Sequence, residues 1–149
     1  MRAVVQRVSA ARVSVDGREV GSVGKGLLVY LGVGSGDVDR DVEYTANKVA
    51  GLRIFPDEEG AMNRSVVDVG GQALVVSQFT LYGTVVRGMR PSFVHAMDPV
   101  PAERIYSRFV ELLEGRGVPC ARGVFGAMME VESANDGPVT ILIDSGKLF

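Results

Sequence analysis

A sheet-rich, layered α/β fold with two helices on one face is what three features of the 149-residue chain predict. Apolar and polar residues alternate through parts of the first third, two later segments repeat apolar residues at helical spacing, and β-type segments lie before, between and after them. Length and composition agree. A chain of this size buries roughly two-thirds of its unfolded surface, and 46% apolar residues suffice for a core. With no linker, low-complexity tract or fixed-period repeat, residues 1–149 read as one domain.

Each element has its own signal. Residues 2–8 are rich in β-branched side chains, and residues 11–15 alternate apolar with polar. Asp16-Gly17 has the turn chemistry of a tight hairpin into residues 18–23. Residues 27–33 are apolar on both faces, which suits a central strand covered on both sides. The period then lengthens: Val38, Val42, Thr45, Ala46 and Val49 share a helix face, with Asp37 expected as N-cap and Gly51 as stop. A second helix is predicted over 101–114, from the stripe Ile105, Phe109, Leu112 and Leu113 and the stop at Gly115. Further strands are predicted at 52–55, 72–79, 118–124, 127–132 and 139–143. The sheet face away from the helices then needs cover, from a second sheet or a second subunit.

Composition narrows the chemistry. One histidine, His95, and one cysteine, Cys120, cannot supply a zinc site of the usual ligands. A net charge of −2 is not the footprint of a broad, non-specific nucleic-acid binder. A lone cysteine and no leader-like start predict a reducing, cytoplasmic compartment. No apolar run approaches the roughly 20 residues of a membrane-spanning helix.

Several constellations read blandly. In Gly32-Val33-Gly34-Ser35-Gly36-Asp37 a carboxylate stands where a dinucleotide loop needs its third glycine, so this reads as a glycine-rich turn. Nothing in the spacing gives His95 a serine and acid partner. Cys120 sits among apolar neighbours, as a small buried hydrophobe does, and Met128-Met129 suit either core filler or an adaptable binding wall.

Three segments resist that treatment. Ser77-Gln78-Phe79-Thr80-Leu81-Tyr82-Gly83 bunches hydroxyls, an amide and aromatic rings at the end of an entirely apolar strand, where side chains and free N–H groups face a ligand. Asn135-Asp136-Gly137-Pro138-Val139-Thr140 reads first as a hairpin turn; the alternative is a cis Gly-Pro bond that turns two carbonyls toward an ammonium group. Arg87 and Arg90, set among Gly, Pro and Phe93, are either solvated loop charges or a local phosphate-binding patch.

Those segments, with Arg90-Pro91-Ser92-Phe93, Phe125-Gly126-Ala127-Met128-Met129 and the start Met1-Arg2-Ala3-Val4-Val5-Gln6-Arg7-Val8, occur in an order and at a length that resemble the D-aminoacyl-tRNA deacylases. The resemblance covers essentially the whole chain. It implies a three-layer α/β/β sandwich of mixed, largely antiparallel sheet, a homodimer with active sites at the subunit interface, and no cofactor or metal. It implies hydrolysis of the ester of D-aminoacyl-tRNA, and of glycyl-tRNA, whose amino acid has no side chain to exclude. Ser77, Gln78, Phe79 and Thr80 are then the catalytic segment. Gly137-Pro138, in the cis form, enters the partner's pocket to hold the α-amino group and exclude an L side chain, with Phe125, Met129 and Arg7 completing the selective wall. Arg87 and Arg90 are the expected tRNA contacts, in a segment reading Arg-Gly-Met-Arg where the family carries Lys-Gly-Asn-Arg. A threonine without a visible base is a poor nucleophile near neutral pH, so Thr80 is expected to serve a backbone-dominated site in which N–H groups of residues 78–80 bind the oxyanion and the ribose 2′-OH helps activate water. Two rivals are a non-enzymatic RNA- or nucleotide-binding module and an assembly protein that simply dimerises.

Overall fold

The computed structural model describes residues 1–148. In chain order the elements are β1 (Arg2–Val15), β2 (Arg18–Val23), β3 (Gly26–Gly32), α1 (Asp39–Gly51), β4 (Phe55–Pro56), β5 (Met62–Arg64), β6 (Gln72–Ser77), a 3-10 turn (Phe79–Tyr82), α2 (Pro99–Gly115), β7 (Cys120–Arg122) and β8 (Glu130–Asp144). The two strands expected at the start are one 14-residue strand. Its first half pairs antiparallel with β3, its second with β2 across the Asp16-Gly17 turn, and β8 runs antiparallel along its other edge. β3 then pairs in parallel with β6, and β6 with β7. Parallel neighbours need long crossovers, and α1 and α2 lie in those two connections.

Strand alternation sorts the side chains into two cores. Ala3, Val5, Leu27, Val29, Leu31, Ala73 and Val75 meet the apolar stripes of the helices, Val42, Ala46 and Val49 from α1 and Tyr106, Phe109, Val110 and Leu113 from α2. On the opposite face Leu28, Leu74 and Val76 meet Val8, Ala11, Val13 and Val23. The sheet face left open by the sequence is therefore covered by the chain itself, where β2 and the end of β1 fold back as a second strand layer. Gly21 marks the closest approach: a Cβ there would sit 2.6 Å from the Arg122 carbonyl oxygen, so only glycine fits. Mixed sheet, two helices on one face and a second strand layer match the predicted class.

Some expectations change. Asp37 does not cap α1; its carboxylate accepts from the Gly34 N–H at 2.6 Å and the Met1 amino group at 2.5 Å. The helix starts two residues later, with the Val38 N–H donating to the Asp41 carboxylate at 3.0 Å. The strand expected over 72–79 stops at Ser77, because Phe79 to Tyr82 coil into the 3-10 turn. The segment 127–132 becomes strand only from Glu130, and residues 135–140 are no hairpin turn but part of β8.

Candidate active site

The end of β6 builds the site. The Gln78 N–H donates to the Leu31 carbonyl at 2.8 Å, the last rung of the β3–β6 ladder. The chain then coils, with Leu81 N–H donating to the Gln78 carbonyl at 3.2 Å and Gly83 N–H to the Thr80 carbonyl at 2.9 Å. Two donors are left over. The amides of Phe79 and Thr80 have no acceptor among the described residues, because they stand where a helical turn has not yet produced carbonyls behind it. Of the amides that the sequence reading assigned to an oxyanion, Gln78 is thus already committed and Phe79 and Thr80 are available.

The Gln78 side-chain amide donates to the Thr80 hydroxyl oxygen. That bond takes one of the hydroxyl's two lone pairs, and among the described residues no histidine, lysine or carboxylate hydrogen-bonds Thr80 to take its proton.

A cleft of about 800 Å³ opens beside this turn. Ser77, Gln78, Phe79 and Thr80 line it together with Phe125 and Met129 from the loop before β8, so six of the expected site residues converge in one chain. Phe93 seats Phe79 edge-on, with ring centroids 5.1 Å apart. Tyr106, also on the lining, packs 5.8 Å from Phe125 and donates its hydroxyl to the Val75 carbonyl at 2.7 Å. Burial pushes its pKa up to about 12, so it stays a donor. Sequence reading passed over Tyr106 in favour of a stripe through Ile105. The spacing of Tyr106, Phe109, Val110 and Leu113 is an equally good helical stripe and was the signal to follow.

Gly137, Pro138 and Arg7 lie outside this chain's cleft. Thr140 pairs with Gln6 and Asn135 with Val8, so β8 spends five steps where β1 spends two, and residues 136–139 bulge outward. Asn135 pinches the bulge, its side-chain oxygen accepting from the Val139 N–H at 3.0 Å and its amide donating to the Thr140 hydroxyl at 3.2 Å. Arg7 braces it from below: the guanidinium pairs with the Asp136 carboxylate at 3.1 Å, donates to the Asp136 carbonyl at 3.3 Å and anchors on the Ile54 carbonyl at 2.6 Å. At the tip the Gly137-Pro138 bond is cis, and both residues are exposed.

Other candidates fall elsewhere. Arg87 and Arg90 are exposed on a loop closed by paired backbone bonds between Thr84 and Ser92. His95 is exposed, with its backbone carbonyl accepting from the Ser35 N–H at 3.0 Å. Cys120 is half-buried and outside the cleft; its thiol donates to the Val118 carbonyl, and burial pushes its pKa up to about 12. No group of three His, Cys, Asp or Glu side chains clusters to hold a metal among the described residues. Among the described residues no helix is long and apolar enough to cross a membrane.

Residues 4–144 match the family model described as D-Tyr-tRNA(Tyr) deacylase. The chain is 57% identical to a D-aminoacyl-tRNA deacylase of Thermotoga petrophila and 58% identical to one of Koribacter versatilis, with the full length of each pair aligned. Among solved structures, one titled c-Myc DNA Unwinding Element Binding Protein superposes with a TM-score of 0.91 at 40% identity, covering 97% of this chain and 98% of that one.

Proposed function

The chain belongs to the D-Tyr-tRNA(Tyr) deacylase family and is a hydrolase acting on D-aminoacyl-tRNA, and on that footing we propose that the scissile ester lies in the cleft with its carbonyl oxygen against the Phe79 and Thr80 amides. The observation that carries this is the pair of unused N–H donors on the cleft wall beside a threonine oxygen already held by Gln78. Water adds to the ester carbon, and the charge that develops on oxygen falls to those two donors, fixed in place before the reaction. Collapse of the tetrahedral intermediate breaks the bond to the ribose oxygen, which leaves with a proton, and releases free D-amino acid and tRNA. The neighbouring ribose 2′-OH assists the attacking water; the cleft lining holds no histidine or lysine, and its one carboxylate, Asp98, stands at the start of α2.

The chiral filter is the Gly137-Pro138 bulge of a second copy. Two features support this: the tip is exposed and held by Arg7 and Asn135, yet it does not line its own chain's cleft. In a homodimer it enters the partner's cleft, holds the α-amino group and closes the space an L side chain would need, while glycine passes. The half-exposed thiol of Cys120 and the tRNA substrate support a cytoplasmic setting.

The test is incubation with D-tyrosyl-tRNA and L-tyrosyl-tRNA, with chelator present, following free tyrosine. Release from the D ester alone is expected. Release from both esters would remove the filter, and loss of activity on adding chelator would replace the backbone site with a metal.

A further inference from the structure

Resting on the deacylase reading, with the oxyanion at the Phe79 and Thr80 amides, we propose that Arg2 is a positioning residue for the reaction: its guanidinium clamps the far end of the 3-10 turn and so sets where those two amides point, without touching substrate. A 3-10 turn alone is a weak support for two donors, because its i→i+3 bonds have poor geometry. This one has two such rungs, to the Gln78 and Thr80 carbonyls, and β3 holds only its entry, through the Leu31 carbonyl. Arg2 holds the exit. Its Nη1 donates to the Leu81 carbonyl at 2.9 Å, its guanidinium carbon lies 4.6 Å from the centroid of the Tyr82 ring, and its Nε donates to the Asp144 carboxylate at 3.0 Å.

The clamp is aimed by the sheet. Arg2 and Asp144 are register partners on β1 and β8, so strand pairing sets the carboxylate beside the guanidinium. The same two strands carry a second arginine–carboxylate pair in register, Arg12 and Glu132, which differs in what it does. Both of its side chains are about half exposed, and among the described residues Arg12 hydrogen-bonds nothing else. The Asp144 side chain, by contrast, is 5% exposed and that of Arg2 27%, and this arginine reaches on to the turn. It does so from behind the cleft. Phe79 and Thr80 line the cleft, whereas Arg2, Tyr82 and Gly83 line a separate hollow with Gly34 and Asp37. There the Tyr82 hydroxyl donates to the Asp37 carboxylate at 3.5 Å, and a Cβ on Gly34 would stand 2.6 Å from the ring. The ring is thus seated, and the guanidinium joins ring, turn carbonyl and β8 in one piece. Without it the Leu81 carbonyl is released, the Gly83 rung to the Thr80 carbonyl loosens, and the two free amides lose their fixed pose.

The experiment uses the full chain with Arg2→Gln, Arg2→Lys and, as the control pair, Arg12→Gln. KM and kcat are measured on D-tyrosyl-tRNA, the urea midpoint is recorded, and amide hydrogen exchange is followed at Leu81 and Gly83. Removing an oxyanion donor outright costs roughly 100- to 1,000-fold; Arg2→Gln keeps both donors and misdirects them, so kcat is expected to fall about tenfold. KM stays within about twofold, because the interaction is made in the transition state. Exchange at Leu81 and Gly83 quickens about tenfold. Arg2→Lys keeps a cation beside Asp144 but has no planar fork to hold the Leu81 carbonyl and the Tyr82 face together, so kcat falls about fivefold at a nearly unchanged urea midpoint. Arg12→Gln leaves kcat as it was. A lowered urea midpoint with wild-type kcat in both Arg2 variants would make Arg2 a brace of the fold and overturn the proposal. A raised KM at constant kcat would overturn it too, by making Arg2 a contact for the substrate. If Arg2→Gln does not fold, Arg2→Lys decides by the same criteria. A wild type that releases no D-tyrosine, while exchange still quickens in the Arg2 variants, would instead sink the deacylase reading and leave the clamp on the turn standing.

Discussion

The turn at Phe79–Tyr82 and the bulge at residues 136–139 are both places where a β-strand departs from its ladder, and they do opposite things with the backbone they free. At the turn β6 ends, and the departure leaves two amides unused on the wall of the chain's own cleft. At the bulge β8 continues, and extra residues are pushed outward while pairing with β1 resumes on either side. The turn is a pocket wall, and under the proposed function the bulge is the plug for the cleft of a second copy. Their supports differ accordingly: apart from the Arg2 clamp at its exit, the turn is set by backbone bonds to β3 and within itself, whereas the bulge depends on the side chains of Arg7 and Asn135. A site divided this way separates chemistry from selection, so substitutions on the two sides should fail differently.

The largest effect is expected at Gly137. Its φ of +125° is one L side chains rarely adopt, and a Cβ would lie 2.8 Å from the Val139 side chain and 3.1 Å from the Arg7 guanidinium. Gly137→Ala therefore has to move the tip, and a displacement near 1 Å in a positioning element costs on the order of 100-fold. Loss of that size in kcat/KM for D-tyrosyl-tRNA, or an equal loss of D/L discrimination, is expected, with a stability change in urea below about 3 kcal/mol. Wild-type activity and discrimination would show that the bulge is not the filter. Arg7→Ala comes next. It removes the brace on Asp136 and leaves the Ile54 carbonyl without its donor, so about tenfold in kcat/KM is expected, together with about 1–3 kcal/mol in urea unfolding. Loss of stability with discrimination intact would make Arg7 a fold residue only.

Most of the turn was legible in the sequence and much of the bulge was not. An apolar run that ends in Ser-Gln-Phe-Thr marks a strand terminus by composition alone, and the cleft forms there. Asn-Asp-Gly-Pro has the composition of a hairpin turn, and nothing local reveals that both flanks pair with the same long strand. The deciding bonds run from Asn135 to Val139 and Thr140 and from Arg7 to Asp136, the last across 129 residues. Asp37 misled for a similar reason: an acid before a helix looks like a cap until the Met1 amino group arrives from 36 residues away. Local chemistry predicts where a chain stops being regular; which partner then claims it is settled by topology.

On the turn side the effects should be smaller. Tyr106 fastens the end of β6 through Val75, whose carbonyl also accepts from the Gly123 N–H at 3.1 Å. Tyr106→Phe thus leaves no carbonyl orphaned, and about 1 kcal/mol is expected in urea. Because burial raises the folded pKa from 10 to about 12, the stability tied to the neutral phenol is complete below pH 10 and lost as pH rises through 12. The gap between wild type and Tyr106→Phe should narrow over that window. A gap that stays constant to pH 12 would mean that folding does not raise the phenol's pKa.

Thr80→Ala is the sharpest test of the division, because the two readings of the turn disagree most there. If Thr80 attacks the ester, its loss removes the nucleophile and activity falls by several orders of magnitude. If the amides act instead, the substitution keeps both N–H donors, frees the Gln78 side chain and deletes one hydroxyl from a wall that alanine can still line. Turnover of D-tyrosyl-tRNA within about tenfold of wild type is then expected, with D/L discrimination unchanged because the bulge is untouched. Complete loss of turnover with tRNA binding and assembly intact would return the chemistry to the hydroxyl. Retained turnover with lost discrimination would show that the wall and the plug are coupled, and that the selection assigned to Gly137-Pro138 is shared with the turn.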